Sequence, residues 1–146
     1  MRIKVLLLTM VTVALLSFSS SVSAEPGLPF EYGQPAAANE FYMGFIKDSS
    51  SHMEWYKWTN TASSTKSVRV FMANPVFNNY DVDYYYKSND GNFIKKTAED
   101  TGIGEKIDIT PIVKVPAGTT IYWRVVPHSA ADFNKKVGYW TYLRLF

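Results

Sequence analysis

Two sets of side chains in this chain have types and spacings suited to chemistry. The first is acidic. Asp81 and Asp83 stand two apart in Tyr80-Asp81-Val82-Asp83, and Asp90 follows in Ser88-Asn89-Asp90-Gly91. On a strand, residues i and i+2 point to one face, which would set both carboxylates side by side with Asp90 in the adjoining turn. Such oxygen donors suit Ca2+, which takes about 6–8 of them, with a carbonyl from the 74–79 loop completing the set. The order D-x-[DN]-x-[DN]-G of an EF-hand loop is missing. The weightier reading of these acids is structural: at a strand entrance they bond turn amides and keep an edge soluble. Paired carboxylates also hydrolyse glycosides across a cleft, but nothing in the sequence marks a cleft or a desolvated acid.

Histidine and serine add little. His52 and His128 are the only histidines. Both fall in expected loops, where a solvated imidazole is the ordinary state. A zinc site needs further nitrogen or sulfur donors, and cysteine is absent. No G-x-S-x-G elbow occurs. The chain therefore reads as a protein without catalytic machinery.

The second set is aromatic. The chain has 10 Tyr, 9 Phe and 4 Trp. Tyr122 and Arg124 alternate on one expected strand; Trp140, Tyr142 and Arg144 alternate on another. If the two strands pair, these five side chains form one flat patch. Aromatic and arginine patches stack on sugar rings, extended peptides and partner proteins. Cross-strand stabilisation of the sheet is the plainer use of the same residues.

These residues need strands to position them. Short runs rich in Tyr, Val, Ile, Phe and Trp occupy 41–46, 53–59, 66–73, 80–87, 92–97, 105–115, 119–127 and 138–146. Polar, Gly- and Pro-containing turns separate them, and Pro111 bounds or interrupts the sixth. The spacing predicts an all-β fold, a single antiparallel β-sandwich of about eight strands. Any helix over 95–104 would be short, because Gly102 and Gly104 lie within it. Alternation assigns Tyr56, Trp58, Val68, Val70, Met72, Val82, Tyr84 and Tyr86 to the core. Ile121, Trp123, Val125, Tyr139, Leu143 and Leu145 join them. The opposite parity turns Phe71, Tyr85, Tyr122, Arg124, Trp140, Tyr142 and Arg144 outward.

Residues 1–24 read as a secretory signal. Arg2 and Lys4 precede an apolar run over 5–18, and Val22-Ser23-Ala24 provides small residues at a cleavage position before Glu25. The run is shorter than the ~20 residues that span a bilayer. Residues 25–40, with Pro26, Pro29 and Pro35, form an extended lead-in. The sandwich domain is expected over 41–146.

Charge follows from the cleavage. The 146 residues hold 15 Lys+Arg and 13 Asp+Glu. Losing Arg2 and Lys4 leaves 13 of each in 122 residues, enough for one domain with its own core. A neutral domain lacks the basic footprint that nucleic acid or anionic lipid would require. A cysteine-free exported chain points to a Gram-positive bacterium and to an extracellular location.

Four segments and a closing strand together resemble the bacterial pre-peptidase C-terminal domain family. They are Gly44-Phe45-Ile46, Glu54-Trp55-Tyr56-Lys57-Trp58, Asp81-Val82-Asp83-Tyr84-Tyr85-Tyr86 with its Asn89-Asp90-Gly91 turn, and Gly118-Thr119-Thr120-Ile121-Tyr122-Trp123-Arg124-Val125, closed by Tyr142-Leu143-Arg144-Leu145. The likeness covers 40–146. It departs from the family at Glu54, where Asp is usual, and no protease is attached. The resemblance implies a jelly-roll-like sandwich and an accessory or binding role. Some members bind calcium, and some bind collagen through surface tyrosines. The expected function is then a secreted, non-catalytic module that contacts cell-wall glycan, matrix protein or another exported protein. The alternative is a secreted inhibitor whose 49–52 or 127–134 loop plugs an enzyme.

Overall fold

The computed structural model describes residues 33–46, 54–88, 90–133 and 137–146. The expected signal over 1–24, His52 and the 49–52 loop lie outside the described residues, as does the first half of the lead-in. Ten strands form two five-stranded sheets. The first has the order β1 (Gln34–Pro35), β3 (Trp55–Thr59), β9 (Thr120–Pro127), β5 (Tyr80–Lys87) and β6 (Phe93–Thr97). The second has the order β2 (Tyr42–Phe45), β10 (Gly138–Leu145), β4 (Lys66–Ala73) and β7 (Ile107–Ile109), with β8 (Val113–Val115) also on β4. Every pairing is antiparallel except β1 with β3. The all-β sandwich expected from the spacing is the fold observed.

The strands form where β-branched and aromatic residues alternate with polar ones, because such side chains fit a pleated surface with one buried face. Val68, Val70 and Met72 on β4, Val82 and Tyr84 on β5, and Ile121, Trp123 and Val125 on β9 are all buried. Tyr139 and Leu143 on β10, in the same sheet as β4, face β5 and β9 across the core and are buried too. Trp58, Tyr86 and Leu145, at the sandwich margin, pack against this core while half-buried.

Polar contacts lock the two sheets together. The Trp123 Nε1–H donates to Thr141 Oγ1 at 3.0 Å, and the Thr141 hydroxyl donates to the Phe71 carbonyl at 2.8 Å. This chain runs from β9 across the core to β10 and β4. Tyr56 stacks on Trp123 at 5.5 Å and shares a 3.2 Å hydrogen bond with the Tyr139 hydroxyl. Burial pushes the Tyr56 phenol up to about 12 and raises that of Tyr139 as well. Gly44 makes room for this pair: a Cβ there would lie 2.3 Å from Tyr139 Oη and 2.7 Å from Tyr56 Oη.

Four features depart from the sequence reading. The sixth expected strand is two, β7 and β8, both on β4, with Thr110, Pro111 and Ile112 between them; the Thr110 hydroxyl accepts from Val70 N at 3.0 Å. Part of the lead-in joins the first sheet as β1. The 127–134 loop holds a turn of 3-10 helix at Ala130–Asp132, started by a Ser129/Asp132 capping box. The fourth departure decides the site: β9 and β10 do not pair, because they belong to different sheets. No helix among the described residues is long and apolar enough to cross a membrane.

Candidate functional site

The separation of β9 from β10 divides the five expected contact residues between opposite faces of the molecule. Tyr122 and Arg124 lie on the outer face of the first sheet; Trp140, Tyr142 and Arg144 lie on the outer face of the second. The single patch expected from pairing does not form. Alternation had given which way each side chain points but not which strand lies beside it.

On the first sheet, cross-strand register sets Trp55, Arg124 and Asp83 in one row and Lys57, Tyr122, Tyr85 and Lys95 in the next. Arg124 lies over the Trp55 ring at 4.9 Å and binds Asp83 Oδ2 through Nη2 at 2.9 Å and Nε at 3.2 Å. Thr97 donates to the other Asp83 oxygen at 2.8 Å. Trp55 meets Tyr85 edge-on at 5.2 Å, and Lys95 lies over Tyr85 at 5.6 Å. The result is a rigid network of aromatic rings and cations whose polar members are largely spoken for.

The second sheet differs. Met43 on β2, Trp140 on β10, Ala73 on β4 and Ile107 on β7 form one outward row. Tyr142, Phe71 and Ile109 form the next. Tyr142 stacks on Phe71 at 4.7 Å and meets Phe41 at 4.5 Å. Trp140 is 49% exposed, Met43 53% and Phe41 65%. Arg144 and Arg69 rim one end, each over the Phe146 ring. Exposed large apolar side chains are ordinary when scattered; here they are contiguous on one sheet face. Alternation marks Trp140, Tyr142 and Arg144 as outward, but not Phe41 and Met43, which join them only because β2 pairs with β10.

The three expected metal ligands do not converge. Asp83 is engaged by Arg124 and Thr97. Asp90 sits in the β5–β6 hairpin turn, where it accepts from the Ser88 hydroxyl and from Asn92 Nδ2 at 2.9 Å. The Ser88 hydrogen bond, with those from Asn92, holds Asp90 below the usual carboxylate range. Asp81 lies at the opposite end of β5, about 20 Å away at ~3.3 Å per residue. The calcium set of Asp81, Asp83 and Asp90 is therefore replaced by the turn and ion-pair roles that such acids commonly play.

Asp81 has other company. His128, just past the end of β9, brings Nδ1 to 3.1 Å from Asp81 Oδ2 and 3.3 Å from Asp100 Oδ2. Asp100 comes from the loop that crosses from β6 to β7. The Asp81 carboxylate beside it raises the His128 imidazole. Burial raises Asp81, outweighing the attraction of His128, and the fields of Asp100 and Asp108 add to the rise. The sequence reading left His128 as a solvated loop residue and did not single out Asp100. Their meeting depends on three chain segments far apart in sequence, and no spacing signals it.

These features define an antiparallel two-sheet sandwich with one apolar outer face. No family model matches the chain, and no curated protein matches it. Among solved structures, it has the fold of the pre-peptidase C-terminal domain of collagenase from Bacillus anthracis. The two share 12% identity at a TM-score of 0.51, over 77% of this chain and 96% of that one. A structure of infectious bursal disease virus Gx strain aligns more loosely, at a TM-score of 0.32 and 13% identity, over 71% of this chain and 30% of that one.

Proposed function

We propose that this protein is an exported, non-catalytic binding module that contacts another exported protein through the outer face of its second sheet. The carrying observation is the run of Phe41, Met43, Trp140 and Tyr142 on that face, with about half or more of each of the first three exposed. The chemistry favours a protein over a glycan. Interface centres are rich in Trp, Tyr, Met and Arg and poor in acids, and the two rows carry no carboxylate or side-chain amide to bond a sugar. The arginines at the rim suit a partner with acidic groups around an apolar knob. Export by residues 1–24 and action outside the cell are parts of this proposal. The fold likeness to a pre-peptidase C-terminal domain of a collagenase supports an accessory role.

The inhibitor alternative receives less support. Of its two loops, one lies outside the described residues, and the other folds back on the body. There Asp132 accepts from Asn79 N at 2.8 Å, and Asn78 Nδ2 donates to the Asp132 carbonyl at 3.0 Å.

The test compares retention of peptidoglycan, chitin, collagen and a culture supernatant's proteins on three immobilised chains. They are the wild type, Phe41→Ser with Trp140→Ser, and Trp55→Ala with Tyr122→Ala. Retention of a supernatant protein that the second-sheet pair abolishes, and the first-sheet pair preserves, supports the reading. Retention of a polysaccharide alone overturns it, as does a self-associated wild type that Trp140→Ser turns to monomer with no other ligand bound.

A further inference from the structure

At the end of the sandwich where β5 begins and β9 finishes, three chain segments deliver donors to one point. Asp81 comes from the first turn of β5, His128 from just beyond β9, and Asp100 from the crossing between the sheets. One donor atom from each lies within 4.8 Å of the others. We infer that Asp81, Asp100 and His128 form a binding site for a divalent transition-metal ion of the Zn2+ class.

The distances support this assignment. Zn2+ bonds of ~2.0–2.1 Å to nitrogen and oxygen place tetrahedral donors ~3.3 Å apart. His128 Nδ1 lies 3.1 Å from Asp81 Oδ2 and 3.3 Å from Asp100 Oδ2. Two edges of the tetrahedron are therefore already set, and the third spans no more than 4.8 Å. The donor set selects the metal. Imidazole nitrogen with carboxylate oxygen suits Zn2+ and its neighbours, whereas Ca2+ and Mg2+ take oxygen alone.

A second observation comes from beneath the cluster. Asn79 is 6% exposed, and its Nδ2 donates to the same Asp100 Oδ2 at 3.2 Å. Its Oδ1 is buried and has no hydrogen-bond partner. The amide turns its nitrogen, not its oxygen, to Asp100 and so holds that carboxylate oxygen beside His128. The Asn79 carbonyl also accepts from His128 N at 3.0 Å, which fixes the imidazole's root over the site.

Charge agrees. Asp132 and Asp108 surround the three donors and act on them through space. Among the described residues, no lysine or arginine pairs with any of these four carboxylates. One imidazole, even protonated, leaves a net negative charge that a dication would neutralise. Asp132 itself is committed to Ser129 and to Asn79 N, so it shapes the field without ligating.

The experiment titrates the purified, chelator-treated chain with ZnCl2, CaCl2 and MgCl2 separately, following heat by calorimetry and the melting temperature. The site predicts one Zn2+ per chain and a saturable rise in melting temperature, with Ca2+ and Mg2+ without effect at equal concentration. His128→Gln and Asp100→Asn each weaken Zn2+ binding at least tenfold. His52→Gln and Asp90→Asn leave it unchanged. X-ray absorption at the zinc edge reads nitrogen and oxygen neighbours near 2.0 Å with one imidazole. The assignment is overturned by no Zn2+ uptake, by Ca2+ matching Zn2+, or by His128→Gln binding Zn2+ as the wild type does. Loss of binding in His52→Gln overturns it equally. A melting curve of each variant without metal separates lost ligation from lost structure.

Discussion

Replacing Thr141 by valine tests how the two sheets are held. Valine matches threonine in shape but removes the hydroxyl that accepts from Trp123 Nε1 at 3.0 Å and donates to the Phe71 carbonyl at 2.8 Å. Thr141 and Trp123 are wholly buried, so water cannot take the place of the hydroxyl. A buried N–H left without an acceptor costs about 1–3 kcal/mol, and the loss to the Phe71 carbonyl adds to it. The methyl gained is apolar and offsets a fraction of a kcal/mol. The expected loss is about 2 kcal/mol. In a domain of this size that lowers the melting temperature by roughly 5–10 °C. Chemical denaturation of the wild type, Thr141→Val, Trp123→Phe and the double variant closes the cycle. Phenylalanine has no N–H to strand, so Thr141→Val made in the Trp123→Phe background should cost about 1–2 kcal/mol less than it does alone. Additive single effects would show that the hydrogen bond contributes nothing across the interface, and the account of Trp123 as an inter-sheet tie would fail.

Other outcomes follow from the same structure. Gly44→Ala, which drives a Cβ into the Tyr139 and Tyr56 hydroxyls, should cost about 2 kcal/mol or more by overpacking; a wild-type denaturation midpoint would refute the close approach. The Tyr56 phenol is raised from 10 to about 12 in the folded chain. Its contribution is therefore complete below pH 10 and is lost as pH rises towards 12, by about 2–3 kcal/mol. Spectrophotometric titration at alkaline pH should show its ionisation coinciding with unfolding. Asp83→Ala, which leaves Arg124 half-buried and unpaired on the first sheet, should destabilise by about 1–3 kcal/mol. Asp90→Ala in the exposed turn should shift the melting temperature far less, and equal shifts would contradict their different surroundings.

The legible part of this fold was the part governed by alternation. Tyr56, Val70, Trp123 and Leu143 could be placed inward, and Phe71, Tyr85 and Trp140 outward, because a strand repeats every two residues whatever lies beside it. Pairing is a different kind of information. Nothing local in β9 or β10 states that they lie in separate sheets, so the five-residue patch was assembled across a boundary that does not exist between them in space. Gln34–Pro35 was missed for a related reason: it is held by β3, not by its own propensity, while the expected strand 105–115 divides into two pieces that both pair with β4. The Ser129/Asp132 capping box lay in a segment read as a plain loop. The Asp81, Asp100 and His128 cluster was not readable, since its members are brought together only when the crossing between the sheets closes.

β10 occupies an inner position in the second sheet, between β2 and β4, although it is drawn from the far end of the described chain; Thr141 reaches the Phe71 carbonyl across 70 residues. The consequence is kinetic. Until residues 138–145 arrive, β2 and β4 have no common neighbour, and each presents an unpaired edge. The contacts that close the sheet are long-range, so loop closure must precede the gain from burial and folding is slow. A chain emerging from its N-terminus stays open until these residues have been made. The vacant slot is specific for an eight-residue strand with Tyr139, Thr141 and Leu143 facing inward, and a second copy carries the same strand. At high concentration the slow step is therefore open to strand exchange between chains, with each copy completing its neighbour's sheet.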